Sequence, residues 1–383
     1  GEWTGLQGRG ASGLGIVEYT NVTLDATHGV LFGGAQDNGT SVQTAAGNRI
    51  WESFRGSDGG DVQATAAGGG NSYRYTATQP GTTNPNQSPI RRHEFSGATA
   101  EVSSVSLFPA AGLTGFTPRF VAQFELNSAN PSRLVVGGGG TSPVYELTNA
   151  DSATGEGDAN WVAVPIGAGF TVVNDNNDAT FVVGGRRNGS DNEEVLIVGS
   201  NDDVFIRSIA GGTLTATPQP FPGGTVQAIA IDPEDWQHIF AADSSGVWET
   251  TDAGVTPWLP VTRNLAGDNN RLQSLAYVPA PDGDFILAGG NLGVSKLAVG
   301  VPDASWTRLG ANLPNALVSD LEYHAAADLL IAGTFGRGAW TVENASTVVG
   351  DEGILTICGD EDYVNQDDVI RLVRNALNPL LLD

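Results

Sequence analysis

Five oxygen-bearing side chains, Asp360, Asp362, Asn365, Asp367 and Asp368, fall within one short run near the C-terminal end, GDEDYVNQDD. Closely spaced carboxylate and amide oxygens are the donor set that a hard cation such as Ca2+ takes. The run lacks the central glycine of an EF-type loop, so a Ca2+ site built here is expected to be irregular. A second concentration of polar groups is Gln36-Asp37-Asn38 with Asp58 and Asp61. Both stretches lie in glycine-rich turns, GGAQDNGT and GSDGGD, where such groups can bind a cation or a sugar. They can equally close the turn by hydrogen-bonding nearby backbone. Glycoside hydrolysis needs two carboxylates facing each other across a cleft, and Asp37 with Asp58 is the pair the sequence offers for it. A further acidic run, NDNND at 174–178, reads as a solvated turn. His28, His93, His238 and His324 have no metal-ligand spacing, and the single Cys358 allows no intrachain disulfide. No Ser/His/Asp motif and no phosphate loop is present.

The elements that would position these groups repeat along the chain. Residues 30–39, VLFGGAQDNG, carry alternating apolar residues into a small-residue turn, followed by a second extended segment. The pattern returns at 133–147, 195–206, 238–250, 285–297 and 329–342, and in a degenerate form at 73–94, where a Pro/Asn-rich insertion lengthens the turn. Period-two alternation with Gly, Asn or Asp at the turn is the signature of a hairpin. An apolar strand precedes each hairpin and another extended segment follows, often with a tryptophan, so each unit holds four strands. Units recurring very roughly every 45–60 residues predict the blades of a seven-bladed β-propeller over residues 1–345.

The last unit lacks its fourth strand. Residues 2–6, EWTGL, read like residues 305–309, SWTRL, which end the preceding unit. The N-terminal segment is therefore expected to supply the outer strand of the last blade and close the ring, removing an open sheet edge.

Charge narrows the partners. The chain has 43 acidic and 18 basic residues, a net charge of −25 at pH 7, which repels phosphate backbones and anionic lipid. Nucleic acid is thus excluded as a partner, and with no long apolar run membrane insertion is not expected. Divalent cations, basic proteins and neutral carbohydrate remain. With 52 glycines and 19 prolines but no collagen-like period, the composition suits an all-β fold with many turns. The chain has no methionine and begins at Gly1; we expect a processed product or an excised piece of a longer secreted protein. The sequons at Asn21, Asn38, Asn188 and Asn344 are what chance supplies in so Asn/Thr-rich a chain.

Particular segments carry a family resemblance. GGAQDNGT (33–40), GSDGGD (56–61), AIDPEDW (230–236) and AGTFGRGAW (332–340) resemble the BNR/Asp-box propellers, a group of secreted sialidase-like, xyloglucanase-like and sortilin-like repeat proteins. ETTDAGVTPW (249–258) resembles an Asp-box, with Thr250, Asp252, Gly254 and Thr256 in place and Pro257 inserted before the aromatic residue. The resemblance covers about residues 1–344 and implies the fold more than the activity, because the group holds enzymes and receptors alike. The sialidase Arg-Ile-Pro motif and the xyloglucanase Gly-rich and Y-R-W-type segments are missing. In the turn itself, Asp252 is expected to accept backbone N–H groups, Gly254 to supply a permissive φ, and the aromatic to pack between blades.

Past residue 344 the repeat stops. Residues 346–383 form a C-terminal β-rich appendage whose GDEDYVNQDD run weakly resembles the lead-in of Gly/Asp-rich calcium-binding repeats of bacterial surface proteins. The apolar residues at 369, 370, 373 and 377 also fit a helix over 369–377, but a strand–turn–strand is expected over 369–383, with Asn378-Pro379 at the turn. The sequence thus reads as a non-enzymatic binding or assembly module, extracellular or at the cell surface, with a carbohydrate-active enzyme of the same fold as the alternative. Its partner is a protein or a further copy reached through the tail, or a carbohydrate.

Overall fold

The computed structural model describes residues 2–6, 17–79, 89–120, 122–170, 180–201, 203–265 and 270–350, and the backbone of strands Leu355–Cys358 and Val369–Leu372. The fold is all-β and propeller-like. The one α-helix among the described residues is Ala345–Gly350.

Each sequence repeat becomes an antiparallel four-strand meander. The first sheet runs Tyr19–Asp25, Val30–Ala35, Gly39–Gln43, Trp51–Arg55, and the second Gly59–Gly68, Asn71–Thr78, Ile90–Phe95, Glu101–Ser106. The third consists of Gln123–Leu126, Leu134–Gly137, Val144–Leu147 and Trp161–Ala163. An eight-stranded sheet follows. Its halves, Phe181–Arg187 to Thr215–Ala216 and Ala228–Asp232 to Leu259–Pro260, are linked in the strand pairing by the pair Arg187↔Asp235. Then come the sheet from Ser274–Val278 to Thr307–Arg308 and the last sheet, Leu317–His324, Leu329–Phe335 and Gly338–Glu343. The outer strand of the last sheet is Thr4–Gly5, with Thr4↔Thr341 and Gly5↔Trp340 in register.

The apolar core is divided among the contacts between consecutive sheets, because each sheet buries one face against each neighbour. Tyr75, Leu107, Phe124 and Leu147 join the second and third sheets, while Trp3, Leu287, Val318 and Leu330 join the last two. A recurrent polar device reinforces this packing. The indole N–H of Trp3 donates to Leu309 O at 2.8 Å, that of Trp51 to Leu6 O at 3.0 Å, and that of Trp161 to Leu107 O at 2.8 Å. Trp258 donates to Gln219 O at 3.3 Å and Trp306 to Val261 O at 2.8 Å. In every case a tryptophan on or beside an outer strand reaches the backbone just beyond the outer strand of the preceding sheet. A buried indole needs such a partner, and a backbone carbonyl supplies it at each of these five contacts.

Two contacts lack that bridge among the described residues and hold buried ions instead. Between the third sheet and the next, Arg133 and Arg207 share Glu146 at 2.7 and 3.1 Å, and Arg133 also reaches Glu194 at 2.8 Å. Between the first and second sheets, fully buried Arg74 pairs with Asp25 at 2.8 Å.

The turn at 250–258 has the expected contacts. Thr256 N donates to Asp252 Oδ2 at 3.0 Å, Gly254 N to Thr250 Oγ1 at 2.9 Å, Gly254 has φ +73°, and Trp258 is buried against Phe221. Beyond the helix, Leu355–Cys358 pairs with Val369–Leu372, from Leu355↔Leu372 to Cys358↔Val369. Strand Val369–Leu372 therefore pairs with the segment before the acidic run. The turn expected at Asn378-Pro379 lies outside the described residues.

Candidate functional site

The innermost strands of the sheets surround a channel of about 980 Å³. Its wall has two halves. Val182, Ile229, Ile231 and Leu275 supply an apolar side, whereas Gln63, Glu125, Asp320 and Glu322 supply a polar and acidic one. Along Leu317–His324, Leu321 alternates with Asp320 and Glu322, and a register shift between Val318 and Asp320 lets Val318 share the core with Leu321 while Asp320 and Glu322 stay at the channel.

The polar side chains do structural work by crossing from one inner strand to the next. Asp320 Oδ2 accepts Val22 N–H at 2.8 Å, Asn21 Oδ1 accepts Val62 N–H at 3.2 Å, Asp61 Oδ2 accepts Phe124 N–H at 2.9 Å and Gln63 Oε1 accepts Leu126 N–H at 2.9 Å. The last, first, second and third sheets are thereby stitched at the channel wall, and backbone groups that no neighbouring strand reaches are satisfied.

Withdrawal from water raises all four carboxyls, Asp61, Glu125 and Glu322 to about 8 and Asp320 to about 7. Their charges also oppose one another: Asp320 raises Asp61, Glu125 and Glu322, and Asp61 raises Glu125. Backbone N–H groups from Phe124 and Val22 pull Asp61 and Asp320 only part of the way back. Because each folded-state value stands above the unfolded one, the stability these acids contribute is complete below about pH 4 and is lost as pH rises through 7–8. The melting temperature is accordingly expected to fall by several degrees from pH 5 to pH 8. Glu125→Gln with Glu322→Gln should flatten that slope in calorimetry; an equally steep slope in the double variant would dissociate it from the channel.

The residues singled out from the sequence divide between two places. Asp37, at φ 61° in the turn after Val30–Ala35, donates its N–H to Asp58 Oδ1 at 2.7 Å, and Asn38 Nδ2 donates to Gln36 O at 3.0 Å. Gln36, Asp37, Asn38 and Asp58 thus form one knot of turns, with Asp58 capping the turn of Asp37. The knot is closed by glycine: a Cβ on Gly34 would lie 1.9 Å from Gly60 O, and one on Gly39 2.1 Å from Arg55 O. The two glycine-rich motifs are therefore explained by backbones in contact. Asp61 is separate, buried on the channel strand. The antiparallel pairs Asp25↔Val30 and Tyr19↔Ala35 place the knot at the opposite end of these strands from the channel-lining turn at Ala26 and Thr27.

Glu125, Asp320 and Glu322 were not anticipated. Their signal was an acid inside an otherwise apolar strand, FEL and SDLEY, which looks like ordinary solvent-facing alternation. The candidate Ca2+ ligands Asp360, Asp362, Asn365, Asp367 and Asp368, and the 174–178 run, lie outside the described residues. Among the described residues no three His, Cys, Asp or Glu side chains are grouped to hold a metal ion, and no helix is long and apolar enough to cross a membrane.

No protein-family model and no curated protein sequence matches the chain. Solved structures do resemble it in fold. YCF48 from Cyanidioschyzon merolae aligns with a TM-score of 0.56 at 11% identity over 89% of this chain and 98% of that one. The GH74 enzyme of Niastella koreensis gives 0.51 at 15% identity over 86% of this chain, and the extracellular domain of BT4673 from B. thetaiotaomicron gives 0.54 at 12% over 89%. The matches span only 43% and 39% of those two chains. At such identities the likeness is one of fold, and the fold is a propeller.

Proposed function

We propose that this chain is a non-enzymatic binding or assembly module. In this reading residues 1–345 are a seven-bladed propeller of the BNR/Asp-box type, the eight-stranded sheet counting as two blades and the N-terminal strand closing the ring. Residues 346–383 are an appendage that binds Ca2+ and joins a partner protein or a further copy. A secreted or surface-attached bacterial protein would carry it.

The observation behind the non-enzymatic reading is that the channel carboxyls are pushed in one direction. An acid–base pair for glycoside hydrolysis needs environments that drive two carboxyls apart, one held protonated and one ionised. Here all four are raised together, and Asp61 and Asp320 are engaged by backbone N–H groups. Asp58 is likewise occupied by the Asp37 N–H.

The test for the appendage is sedimentation of the full chain and of a 1–345 truncation, with Ca2+ and with chelator. The full chain should self-associate or capture its partner in a Ca2+-dependent way, and calorimetry should show Ca2+ binding that disappears in the truncation. Monomers of both forms in both conditions, with no heat of Ca2+ binding, would remove the appendage from the proposal.

A further inference from the structure

Asparagine is followed by glycine at two places in the chain, Asn38-Gly39 and Asn188-Gly189. The dipeptide has a chemistry of its own. Glycine carries no side chain to shield its backbone nitrogen from the carboxamide of the asparagine before it. Both asparagines are exposed, and both stand at the turn of a hairpin.

The fold treats the two copies differently. Asn188 and Gly189 are the whole loop between strands Phe181–Arg187 and Ser190–Gly199, and Arg187↔Ser190 is the pair that closes it. Their φ values, 52° and 75°, suit a two-residue type I′ turn. Gly189 and Ser190 are exposed, a Cβ on Gly189 would meet no atom within 4 Å, and no described residue hydrogen-bonds the Asn188 carboxamide. Behind the tip, Arg186 meets Asp191 at 3.3 Å and Glu234 at 3.1 Å, and Arg187 meets Asp235 at 3.1 Å. All of these side chains are about two-fifths exposed or more, and ion pairs so exposed hold little. The tip therefore opens at small cost.

Asn38 is locked in. Its Nδ2 donates to Gln36 O at 3.0 Å, and Asp58 Oδ1 holds the preceding peptide through the Asp37 N–H at 2.7 Å. Gly39 is buried at the start of strand Gly39–Gln43, and a Cβ on it would lie 2.1 Å from Arg55 O. The Gly39 peptide cannot swing without displacing that backbone.

We propose that Asn188 is a self-modifying site, which loses its carboxamide nitrogen as ammonia and becomes aspartate or isoaspartate, and that the knot protects Asn38 from the same reaction.

The step balances on the chain and one water molecule. The Gly189 backbone nitrogen attacks Cγ of Asn188, and the new C–N bond closes a succinimide ring. The Cγ–Nδ2 bond breaks, and Nδ2 leaves as ammonia with the proton given up by the Gly189 N–H. Water then opens the ring at either of its carbonyl carbons. Opening at Cγ restores the ordinary main chain with an aspartate side chain. Opening at the other carbonyl routes the main chain through Cβ and Cγ, which is isoaspartate. Nothing is oxidised or reduced. The attacking nitrogen must shed its proton, so the reaction quickens as pH rises. Attack also needs the peptide between the two residues to rotate, which the open tip permits and the knot resists. Either product adds a negative charge next in sequence to Arg186 and Arg187, where the halves of the eight-stranded sheet pair.

Incubation of the full chain in heavy-oxygen water at pH 6.0 and pH 8.5, followed by peptide mapping, decides the matter, because the oxygen that replaces the amide nitrogen then carries the label. In the folded chain Asn188 should convert at least about tenfold faster than Asn38, the ratio that about 1.4 kcal/mol between their local opening free energies supplies. Conversion should be faster at pH 8.5, and isoaspartyl methyltransferase should label the peptide that holds residue 188. In urea, where neither turn persists, the two sites should convert at similar rates. An intact Asn188 at pH 8.5, equal rates at the two sites in the folded chain, or a preference for Asn188 that survives in urea would overturn the proposal.

Discussion

Deleting residues 1–6 is expected to destabilise the protein by about 3–5 kcal/mol, the cost of emptying the site of a large buried aromatic. Trp3 is only 2% exposed; its indole binds Leu309 O, and its backbone N–H binds Asn312 Oδ1 at 2.8 Å. Thr4–Gly5 leaves with it, so the edge of Gly338–Glu343 loses its partner, and Trp51 loses its acceptor on Leu6. Trp3→Ala alone should account for most of the loss. Urea denaturation of both variants measures it, and an unchanged midpoint in the deletion would mean that this short strand adds nothing to the last sheet.

Asp25→Ala should cost a comparable 3–5 kcal/mol, for a different reason. Removing the carboxylate leaves a fully buried guanidinium uncompensated and strips Ser72 of its acceptor. Pairing the change with Arg74→Met removes the stranded charge and should recover much of the loss, since an apolar pair of similar volume is often no worse than a buried ion pair. A double-mutant cycle reads this directly. If Asp25→Ala behaved like a surface substitution, within about 0.5 kcal/mol, the buried pair would have no structural weight.

How much of this was legible in the sequence depends on the range of the interaction. The hairpins were readable because alternation and turn residues are local; strands Leu329–Phe335 and Gly338–Glu343 fall where LLIAGTFGRGAWTV indicates. The pairing of Thr4–Gly5 with the last sheet was readable because EWTGL resembles SWTRL, each placing its indole against the preceding sheet. The channel acids were not readable. Alternation says that Asp320 and Glu322 share a face of their strand, but not that this face turns to a channel shared with Glu125, almost 200 residues away. Asp58 and Asp61 looked like one cluster because they are three residues apart; the intervening Gly59-Gly60 starts a strand and sends Asp61 into the channel wall. The buried pair of Asp25 and Arg74 was hidden for the same reason, since the two look like unremarkable charges until two sheets close on them.

The most direct test of the central claim is turnover. The full chain and its Asp37→Asn, Asp58→Asn and Glu125→Gln variants should be incubated with xyloglucan, other β-linked glucans and sialosides, and reducing ends and free sialic acid measured. The reading of this propeller as a binding module, with carboxylates that tie sheets and turns together, predicts no product above the buffer blank from any of the four proteins. Product from the natural chain that disappears in one of the variants would contradict it and identify the catalytic carboxylate.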